Sequence, residues 1–229
     1  GSAWYTDMAA HAVARITPGG EVESFPIDTP SVRLGRLAVA PDGAVWFAES
    51  TLHSVTRLKD GVLTRHSVKM VNGGPYGVAV APDGTVWATL QSGNRLLRIA
   101  RDGQVRTFDL PTRGAAPTDI AIGPDGAVWF VEFRGNRIGR FQDGRFAEFE
   151  VPGDNAGLTG LAIAADGAVW FGLLRRSSLG RLKDGRLDLF PLPRPDARPY
   201  SLAMDGAGNV WYADIRGYVG MLAARSARS

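Results

Sequence analysis

The sequence predicts an all-β fold, a β-propeller of four-stranded antiparallel blades, from three observations. A unit of about 41 residues recurs along the chain, every unit carries one tryptophan, and Asp-Gly pairs return at two fixed places in it. The tryptophans stand at positions 4, 46, 87, 129, 170 and 211, so their spacings are 42, 41, 42, 41 and 41 residues. We therefore expect one propeller domain over 1–229, with repeats at about 1–32, 33–74, 75–115, 116–156, 157–197 and 198–229.

Each unit is expected to hold four short strands, named A to D from the inside outward. In the unit from Pro75 to Thr112, four runs of strand-forming residues (76–81, 85–90, 95–99 and 104–110) are separated by two Asp-Gly turns and one polar loop. Asp-Gly pairs supply the positive φ angles that tight hairpins need, and their density leaves little room for helix. The A–B and C–D turns then lie at one end of a blade. The B–C and D–A loops lie at the other end, where propellers usually bind small-molecule or peptide ligands.

The two ends of the chain predict incomplete blades. The first repeat begins at strand B and the last repeat stops after strand C, which gives 22 strands where six full blades need 24. Either a six-bladed ring closes imperfectly, or a longer parent chain supplies the missing strands and even a seventh blade. The unpaired blade edges would also allow self-association, because exposed strand edges pair readily.

Composition narrows the function classes. The chain has 229 residues, of which 45% are hydrophobic, and it has no cysteine, which excludes disulfides, thiolate metal sites and a cysteine nucleophile. No apolar run is long enough to span a membrane, so no membrane partner is expected, and the compartment stays open. The formal charge is +3, and the 23 arginines are spread over the repeats, so we expect no nucleic-acid partner.

The repeat consensus resembles the streptogramin lyase family, also called virginiamycin B lyases, over essentially the whole chain. The best copies are the segment 124–132, Pro-Asp-Gly-Ala-Val-Trp-Phe-Val-Glu, and the segment 135–140, Gly-Asn-Arg-Ile-Gly-Arg. The resemblance implies a seven-bladed bacterial propeller that opens cyclic streptogramin B depsipeptides by Mg²⁺-assisted elimination. It also implies a histidine base in a Pro-His-Gly motif at the start of strand A and a metal-binding glutamate at the end of strand B.

The two family positions are filled differently in this sequence. The strand-A position holds no histidine; its occupants are Gly35, Tyr76, Thr118, Thr159 and Tyr200. Of these, Tyr76, Tyr200, Thr118 and Thr159 are the candidates for contacting a ligand. The strand-B position, three residues after each tryptophan, holds a carboxylate in four repeats: Asp7, Glu49, Glu132 and Asp214.

These four acids are the metal candidates, because converging carboxylates suit Mg²⁺ or Ca²⁺. The alternative is that each acid accepts hydrogen bonds from loop N–H groups or pairs with an arginine.

The histidines and the periodic arginines allow further predictions. His53 and His11 lie in B–C loops four residues after Glu49 and Asp7, so they are candidate catalytic bases. Other repeats carry Asn or Ser at the same position, which favours a plain turn role. His66 falls in an outer strand and is expected at the surface. Arginines recur eleven residues after five tryptophans and are expected to form a structural ladder between blades.

Several functions are compatible with these features. One is a metal-assisted carbon–oxygen lyase acting on a small cyclic ester or depsipeptide, with a lactonase-type hydrolase as a neighbouring version. The second is a non-catalytic binding or scaffold propeller of the NHL-repeat kind. A third is an assembly fragment that pairs with another copy through its blade edges.

Overall fold

The computed structural model describes residues 2–29, 31–68 and 73–224. These residues form 22 strands in six antiparallel sheets, and their only helical segment is the 3₁₀ turn Ser50–Leu52. The six sheets are the blades of a β-propeller, four of them four-stranded and two three-stranded. The predicted fold class, strand number and near absence of helix are confirmed. The chain divides into two compact units, Gly1–Leu110 and Pro111–Ser229, with three sheets each.

The first unit contains blades 1 to 3. Blade 1 has strands B, C and D, which are β1 (Ala3–Asp7), β2 (Ala12–Ile16) and β3 (Val22–Pro26). Blade 2 runs from A to D as β4 (Leu34–Val39), β5 (Val45–Glu49), β6 (Ser54–Lys59) and β7 (Val62–Ser67). Blade 3 does the same as β8 (Pro75–Val80), β9 (Val86–Leu90), β10 (Arg95–Ile99) and β11 (Val105–Asp109).

The second unit contains blades 4 to 6. Blade 4 consists of β12 (Pro117–Ile122), β13 (Val128–Glu132), β14 (Arg137–Gln142) and β15 (Arg145–Glu150). Blade 5 consists of β16 (Leu158–Ile163), β17 (Val169–Leu173), β18 (Ser178–Lys183) and β19 (Arg186–Pro191). Blade 6 has strands A, B and C only, which are β20 (Pro199–Met204), β21 (Val210–Asp214) and β22 (Tyr218–Leu222).

The Asp-Gly pairs form the hairpin turns that the sequence predicts. At the C–D turn of blade 4, Asp143 and Gly144 both have positive φ, 51° and 75°, as a two-residue turn between twisted strands requires. At the A–B turn of the same blade, the Asp125 carboxylate accepts a hydrogen bond from the Ala127 N–H at 3.1 Å, and Gly126 takes φ 78°. Turn chemistry therefore fixes the register of each blade.

The core of each unit lies between neighbouring blades. In the second unit, one buried cluster joins Ile138 of blade 4 to Leu161 and Phe171 of blade 5. Strands A, B and C all contribute to it, and every residue of the B strand β17 is buried. The aromatic residue after the tryptophan packs on a strand-C glycine: a Cβ at position 139 would lie 2.1 Å from the Phe130 ring. That glycine is needed because the ring occupies the space of a side chain.

The predicted arginine ladder between blades is wrong, because these arginines act within their own blade. Each is the cross-strand partner of its blade's tryptophan: Trp4 and Arg15, Trp46 and Arg57, Trp87 and Arg98, Trp129 and Arg140, Trp170 and Arg181. The Arg140 guanidinium lies 5.5 Å from the Trp129 ring centroid, within the range of a cation–π contact. The arginines therefore cover the tryptophans on one face of the blade.

His66 is not the plain surface residue that the sequence suggested. It lies in outer strand β7, and its ring centroid is 5.1 Å from that of Trp46. Phenylalanine takes this role in the other four blades that have a strand D. Burial, and then the charge of Arg57, lower the pKa of His66 below its usual value.

None of the helical structure in the described residues is long or apolar enough to cross a membrane.

Candidate functional site

The four strand-B acids lie at the ends of their strands, next to the B–C loops, and each is described in its own unit. Two of them are fully buried: Glu49 ends β5 and Glu132 ends β13, and both have 0% of their surface exposed. A buried carboxylate needs a cation, a proton or several hydrogen-bond donors to offset its lost hydration. Glu49 and Glu132 meet this requirement in opposite ways.

Glu49 is compensated by its own blade. Its carboxylate accepts hydrogen bonds from the Ser54 and Thr56 hydroxyls and forms an ion pair with Arg65, whose Nε lies 3.0 Å from Oε2. Ser54 and Thr56 lie on strand C and Arg65 on strand D, so the glutamate side chain points outward along its sheet. Three side chains therefore compensate the buried carboxylate of Glu49.

Glu132 has no such compensation. Neither of its carboxylate oxygens has a hydrogen-bond partner, and the side chain that it faces is Glu148 on strand D. Burial, and then the neighbouring Glu148, raise the pKa of Glu132 to about 8, although the charge of Arg137 acts in the opposite direction. Glu132 is thus mostly protonated at neutral pH.

Glu148 is anchored by the segment that leads into blade 4. Its two carboxylate oxygens accept hydrogen bonds from the Thr112 N–H at 3.2 Å and from the Thr112 hydroxyl at 2.9 Å. Arg137 donates to the Thr112 hydroxyl at 3.4 Å and to the Gly135 carbonyl at 3.1 Å. Glu148 is therefore held in place by Thr112, next to Glu132.

The contrast between the two glutamates comes from one repeat position. Arg65 and Glu148 each stand 19 residues after their blade's tryptophan, Trp46 and Trp129. Blade 2 thus places a positive charge, and blade 4 a negative charge, in front of the same buried acid. Sequence reasoning found both glutamates but missed this difference, because it followed strand B alone and did not compare the strand-D positions.

Asp7 and Asp214 serve the turns that follow them. The Asp7 carboxylate accepts hydrogen bonds from the Ala9 and Ala10 N–H groups at 3.0 and 2.9 Å. The Asp214 carboxylate accepts from the N–H of Arg216 at 2.9 Å and from that of Arg198 in the incoming D–A loop. Both aspartates therefore organise the loop end of their blades.

Within each unit, the carboxylates of the described residues are not grouped as a divalent cation would need. No group of three or more histidine, aspartate or glutamate side chains among them is arranged to hold one. Glu49 already has an arginine, the two aspartates are bonded to backbone N–H groups, and Glu132 carries a proton. The metal site of Asp7, Glu49, Glu132 and Asp214 stays a prediction.

The two candidate histidines occupy a turn position with a left-handed backbone. His11 and His53 both have φ 49°, and the equivalent Asn94, Asn136 and Ser177 have φ between 47° and 54°. Asparagine tolerates this conformation best, which matches the turn role. The Nδ1 atoms of His11 and His53 are nonetheless buried without a hydrogen-bond partner. The structure thus shows their turn geometry, and their role as bases stays a prediction.

The strand-A position coincides with an irregularity of the sheet. In every A–B pair the register shifts at or beside it: between Leu34 and Leu37, Pro75 and Val78, Pro117 and Ile120, Thr159 and Leu161, Pro199 and Ser201. A β-bulge turns a side chain away from the regular pleat and is common beside binding sites. The occupants of this position are therefore oriented independently of their neighbours.

The five occupants differ in exposure. Tyr200 is 39% exposed and Tyr76 is half-buried, whereas Thr118 and Thr159 are 8% and 5% exposed. The Thr159 hydroxyl donates to the Pro199 carbonyl at 2.7 Å. At Gly35 no side chain fits, because a Cβ would lie 2.4 Å from the Tyr76 carbonyl oxygen. The tyrosines are thus the occupants most open to a ligand, and their role stays a prediction.

Two open clefts lie at the other end of the blades, beside the A–B turns. In the first unit, a cleft of about 510 Å³ is lined by Trp46, Arg57, His66 and Arg101, among others. In the second unit, a cleft of about 540 Å³ is lined by Trp170, Arg181 and Met204, among others. Sequence reasoning placed ligands at the opposite end and did not foresee these clefts, which arise where the tryptophan face of one blade meets the next turn.

Repeating sheets, an arginine opposite the tryptophan in five of the six blades, and acids at the ends of four B strands define a repeat propeller. The chain belongs to the Virginiamycin B lyase family, whose model matches residues 1–227. A virginiamycin B lyase of Nocardia farcinica is 37% identical over 114 residues, which are 49% of this chain and 38% of that protein. The aligned part is thus well under two thirds of that relative.

Two solved structures are similar over nearly the whole chain. Virginiamycin B lyase from Staphylococcus aureus matches with a TM-score of 0.89 and 28% identity, covering 98% of this chain and 81% of the other. A catalytically inactive histidine-to-alanine variant of the S. aureus enzyme, solved with quinupristin, gives a TM-score of 0.89 and 27% identity over 99% of this chain and 82% of the other.

Proposed function

We propose that this chain is a binding propeller that takes up a small cyclic depsipeptide or ester at the B–C/D–A end of its blades and lacks the strand-A base that would open it. One observation carries the proposal: a chain of the lyase family has glycine, threonine or tyrosine at all five strand-A positions where the family's Pro-His-Gly histidine would stand.

The chemistry of elimination explains why this position matters. The step requires a base within reach of the proton next to a carbonyl group. Glycine offers no base, and an alcohol or phenol hydroxyl is a poor one near neutral pH. The Thr159 hydroxyl is already committed to the Pro199 carbonyl. Binding, which needs contact area and hydrogen bonds, does not depend on a base.

A second candidate, the lyase itself, is favoured by the two loop histidines. The Nδ1 atoms of His11 and His53 are buried without a hydrogen-bond partner, so each ring has an unused lone pair or proton. In this version His53 or His11 removes the substrate proton. Lactonase-type hydrolysis of the ligand is a third possible activity, and the test below distinguishes it from binding and from elimination.

Calorimetric titration with quinupristin, followed by mass spectrometry of the ligand, distinguishes these functions. We expect micromolar binding and an unchanged ligand, with or without added Mg²⁺. A linear product of unchanged mass that is lost in His53→Ala or His11→Ala would establish the lyase, and a product heavier by one water would establish a hydrolase. Absence of binding would overturn the proposal.

The substitution Tyr200→His tests the reason for inactivity. It places a histidine in the bulge at the start of β20, where the side chain is exposed enough to change without disturbing the core, and where Pro199 pairs with Asp214 at the end of β21. We expect mass-neutral opening of quinupristin at least about 10-fold above the unchanged protein. Tyr5→His, which changes a tyrosine of similar exposure on strand β1, is the matched control. Its rate of quinupristin opening should stay at background. A variant that binds quinupristin and shows no opening would mean that the missing histidine is not what prevents catalysis.

A further inference from the structure

The charges of the second unit are separated between its two ends. The loops at the B–C/D–A end carry seven arginines and two aspartates: Arg113, Arg134, Arg175, Arg176, Arg194, Arg198 and Arg216, with Asp154 and Asp196. The A–B and C–D turns at the other end carry five aspartates and no basic residue: Asp125, Asp143, Asp166, Asp184 and Asp205. The B–C/D–A end of this unit is therefore strongly cationic.

The first unit has this feature only weakly, since its D–A segments carry Arg33, Lys69 and Asp28. Its three B–C loops, 8–11, 50–53 and 91–94, contain no arginine, lysine, aspartate or glutamate. The corresponding loops of the second unit contain Arg134, then Arg175 and Arg176, then Arg216. Structural turn chemistry alone does not explain this difference, because the turns have the same left-handed geometry at Asn94 in the first unit as at Asn136 in the second.

Contacts between the loops join the arginines of the second unit into one surface, here called the arginine surface. The Arg175 guanidinium lies 5.6 Å from the centroid of the Phe133 ring in the neighbouring B–C loop. Arg176 donates to the Pro152 and Asp154 carbonyls of the D–A segment, and Arg216 pairs with Asp196. Arg194 also pairs with Asp196, so four of the seven arginines are held in place by the protein itself.

Three arginines of the arginine surface keep their charge available. No ion pair or hydrogen bond joins the guanidinium groups of Arg113, Arg134 or Arg198 to another of the described residues, and all three side chains are exposed. They lie in the loops of blades 4 and 6, and packed sheets are spaced about 10 Å apart, so they span about 20 Å. An extended anionic chain of about six residues, rather than a single small ion, matches this span.

We propose that the arginine surface binds an acidic peptide segment, that is, a run of aspartate or glutamate residues in a partner protein. The guanidinium fork matches a carboxylate with two parallel hydrogen bonds, which favours carboxylates as the partner groups. Stacking with nucleic-acid bases is disfavoured, because the aromatic rings at this surface are already covered: Arg175 lies on Phe133, and Arg194 lies 4.4 Å from the centroid of the Tyr218 ring.

Fluorescence anisotropy with a labelled octaglutamate peptide tests the proposal on the full chain. The loop variant Arg113→Ala/Arg134→Ala/Arg198→Ala should bind at least about 10-fold more weakly than the unchanged protein. The strand variant Arg106→Ala/Arg145→Ala/Arg186→Ala removes the same charge from exposed D-strand positions and should change the affinity less than about 2-fold. Circular dichroism of both variants checks that they are folded.

Three results would contradict the acidic-peptide proposal. Absence of peptide binding by the unchanged protein up to millimolar concentration would overturn the proposal. An equal loss of affinity in both variants would also overturn it, because net charge alone would then explain the interaction. An eight-nucleotide oligothymidylate, or vesicles of phosphatidylcholine and phosphatidylserine, are the competing ligands. If either showed the loop-dependent loss and the peptide did not, the surface would not be a peptide site.

Discussion

At the scale of single residues, the most informative contrast is between Glu49 and Glu132. Both are buried at the end of a strand B, yet one faces Arg65 and the other Glu148. The repeat makes the comparison possible, because the same backbone environment is offered to opposite charges. Two acids that look alike in sequence therefore have neighbours of opposite charge, and the acidic neighbour helps raise the pKa of Glu132 to about 8.

Glu132 should make folding stability depend on pH. Its folded-state pKa, about 8, is raised above the ordinary value of 4.5, so its contribution is fully present below about pH 4.5 and is lost as the pH rises through 8. Glu132→Gln keeps a polar side chain of the same size that cannot ionise. We expect this variant to gain about 1 to 3 kcal/mol over the unchanged protein at pH 9 and to differ little at pH 5.

Urea unfolding at the two pH values measures this difference. Glu150→Gln, an exposed acid at the end of the same strand as Glu148, is the control and should show no pH-dependent gain. Equal stabilities of the Glu132→Gln variant and the unchanged protein at pH 9 would mean that Glu132 is ionised without cost in the folded state.

The strand-A and strand-B positions show what residue identity can predict. Backbone geometry sets three features of these positions: the burial of the two glutamates, the bulges beside the two tyrosines, and the left-handed turns at the two histidines. The repeat predicted only the turn role. The residues are Glu49 and Glu132, Tyr76 and Tyr200, and His11 and His53. The sequence of strand B could not predict that Glu132 lies next to Glu148, because Glu148 belongs to strand D, which is two strands away in the sheet.

At the scale of elements, each blade is a sheet with two different faces. In blades 1 to 5, one face holds the tryptophan, its cross-strand arginine and a strand-D ring; Trp129, Arg140 and Phe149 are one such set. In blades 4 to 6, the aromatic residue after the tryptophan points to the other face and packs on a strand-C glycine. Sequence periodicity predicted the strands and turns well, since hairpin signals are local. It wrongly predicted that the arginines lie between blades, because residue spacing alone does not determine which residues pair across neighbouring strands.

Gly139→Ala should destabilise blade 4. A methyl group at this position would lie 2.1 Å from the Phe130 ring, which is itself fully buried and cannot move aside freely. We expect a loss of about 2 to 3 kcal/mol, the usual cost of overpacking a core. The control is Gly206→Ala, where nothing lies within 4 Å of the new Cβ and φ is not positive. Thermal unfolding of both variants gives the comparison, and an equal, small effect in the two would argue against close packing of Phe130 on β14.

At the scale of the whole molecule, one repeat is used six times with different side chains at fixed places. The period predicted all 22 strands, because blade length and turn chemistry are set by local sequence. It did not predict the division into two compact units or the arginine-rich loops of the second one, because neither property belongs to a single repeat. Comparison between repeats, rather than within one, is what finds such differences.

Hydrogen exchange should follow the repeat period. The B strands of blades 2, 3 and 5 are buried at every residue, whereas the D strands alternate or are exposed. We expect the slowest exchange on strand B and the fastest on strand D in each of these blades, so that protection maxima return about every 41 residues. Mass-spectrometric exchange on the unchanged protein checks this, and uniform protection from A to D would contradict it.

The replacement of phenylalanine by His66 beside Trp46 also gives the molecule an internal optical reporter. Indole emission is sensitive to a neighbouring imidazolium, and among the described ring pairs of the six tryptophans only this one contains a group that titrates below neutral pH. Part of the emission should fall on acidification below the ordinary histidine range, and His66→Phe should abolish that step. Ligand binding or unfolding near the turn-end cleft that Trp46 and His66 line could then be followed without an added label.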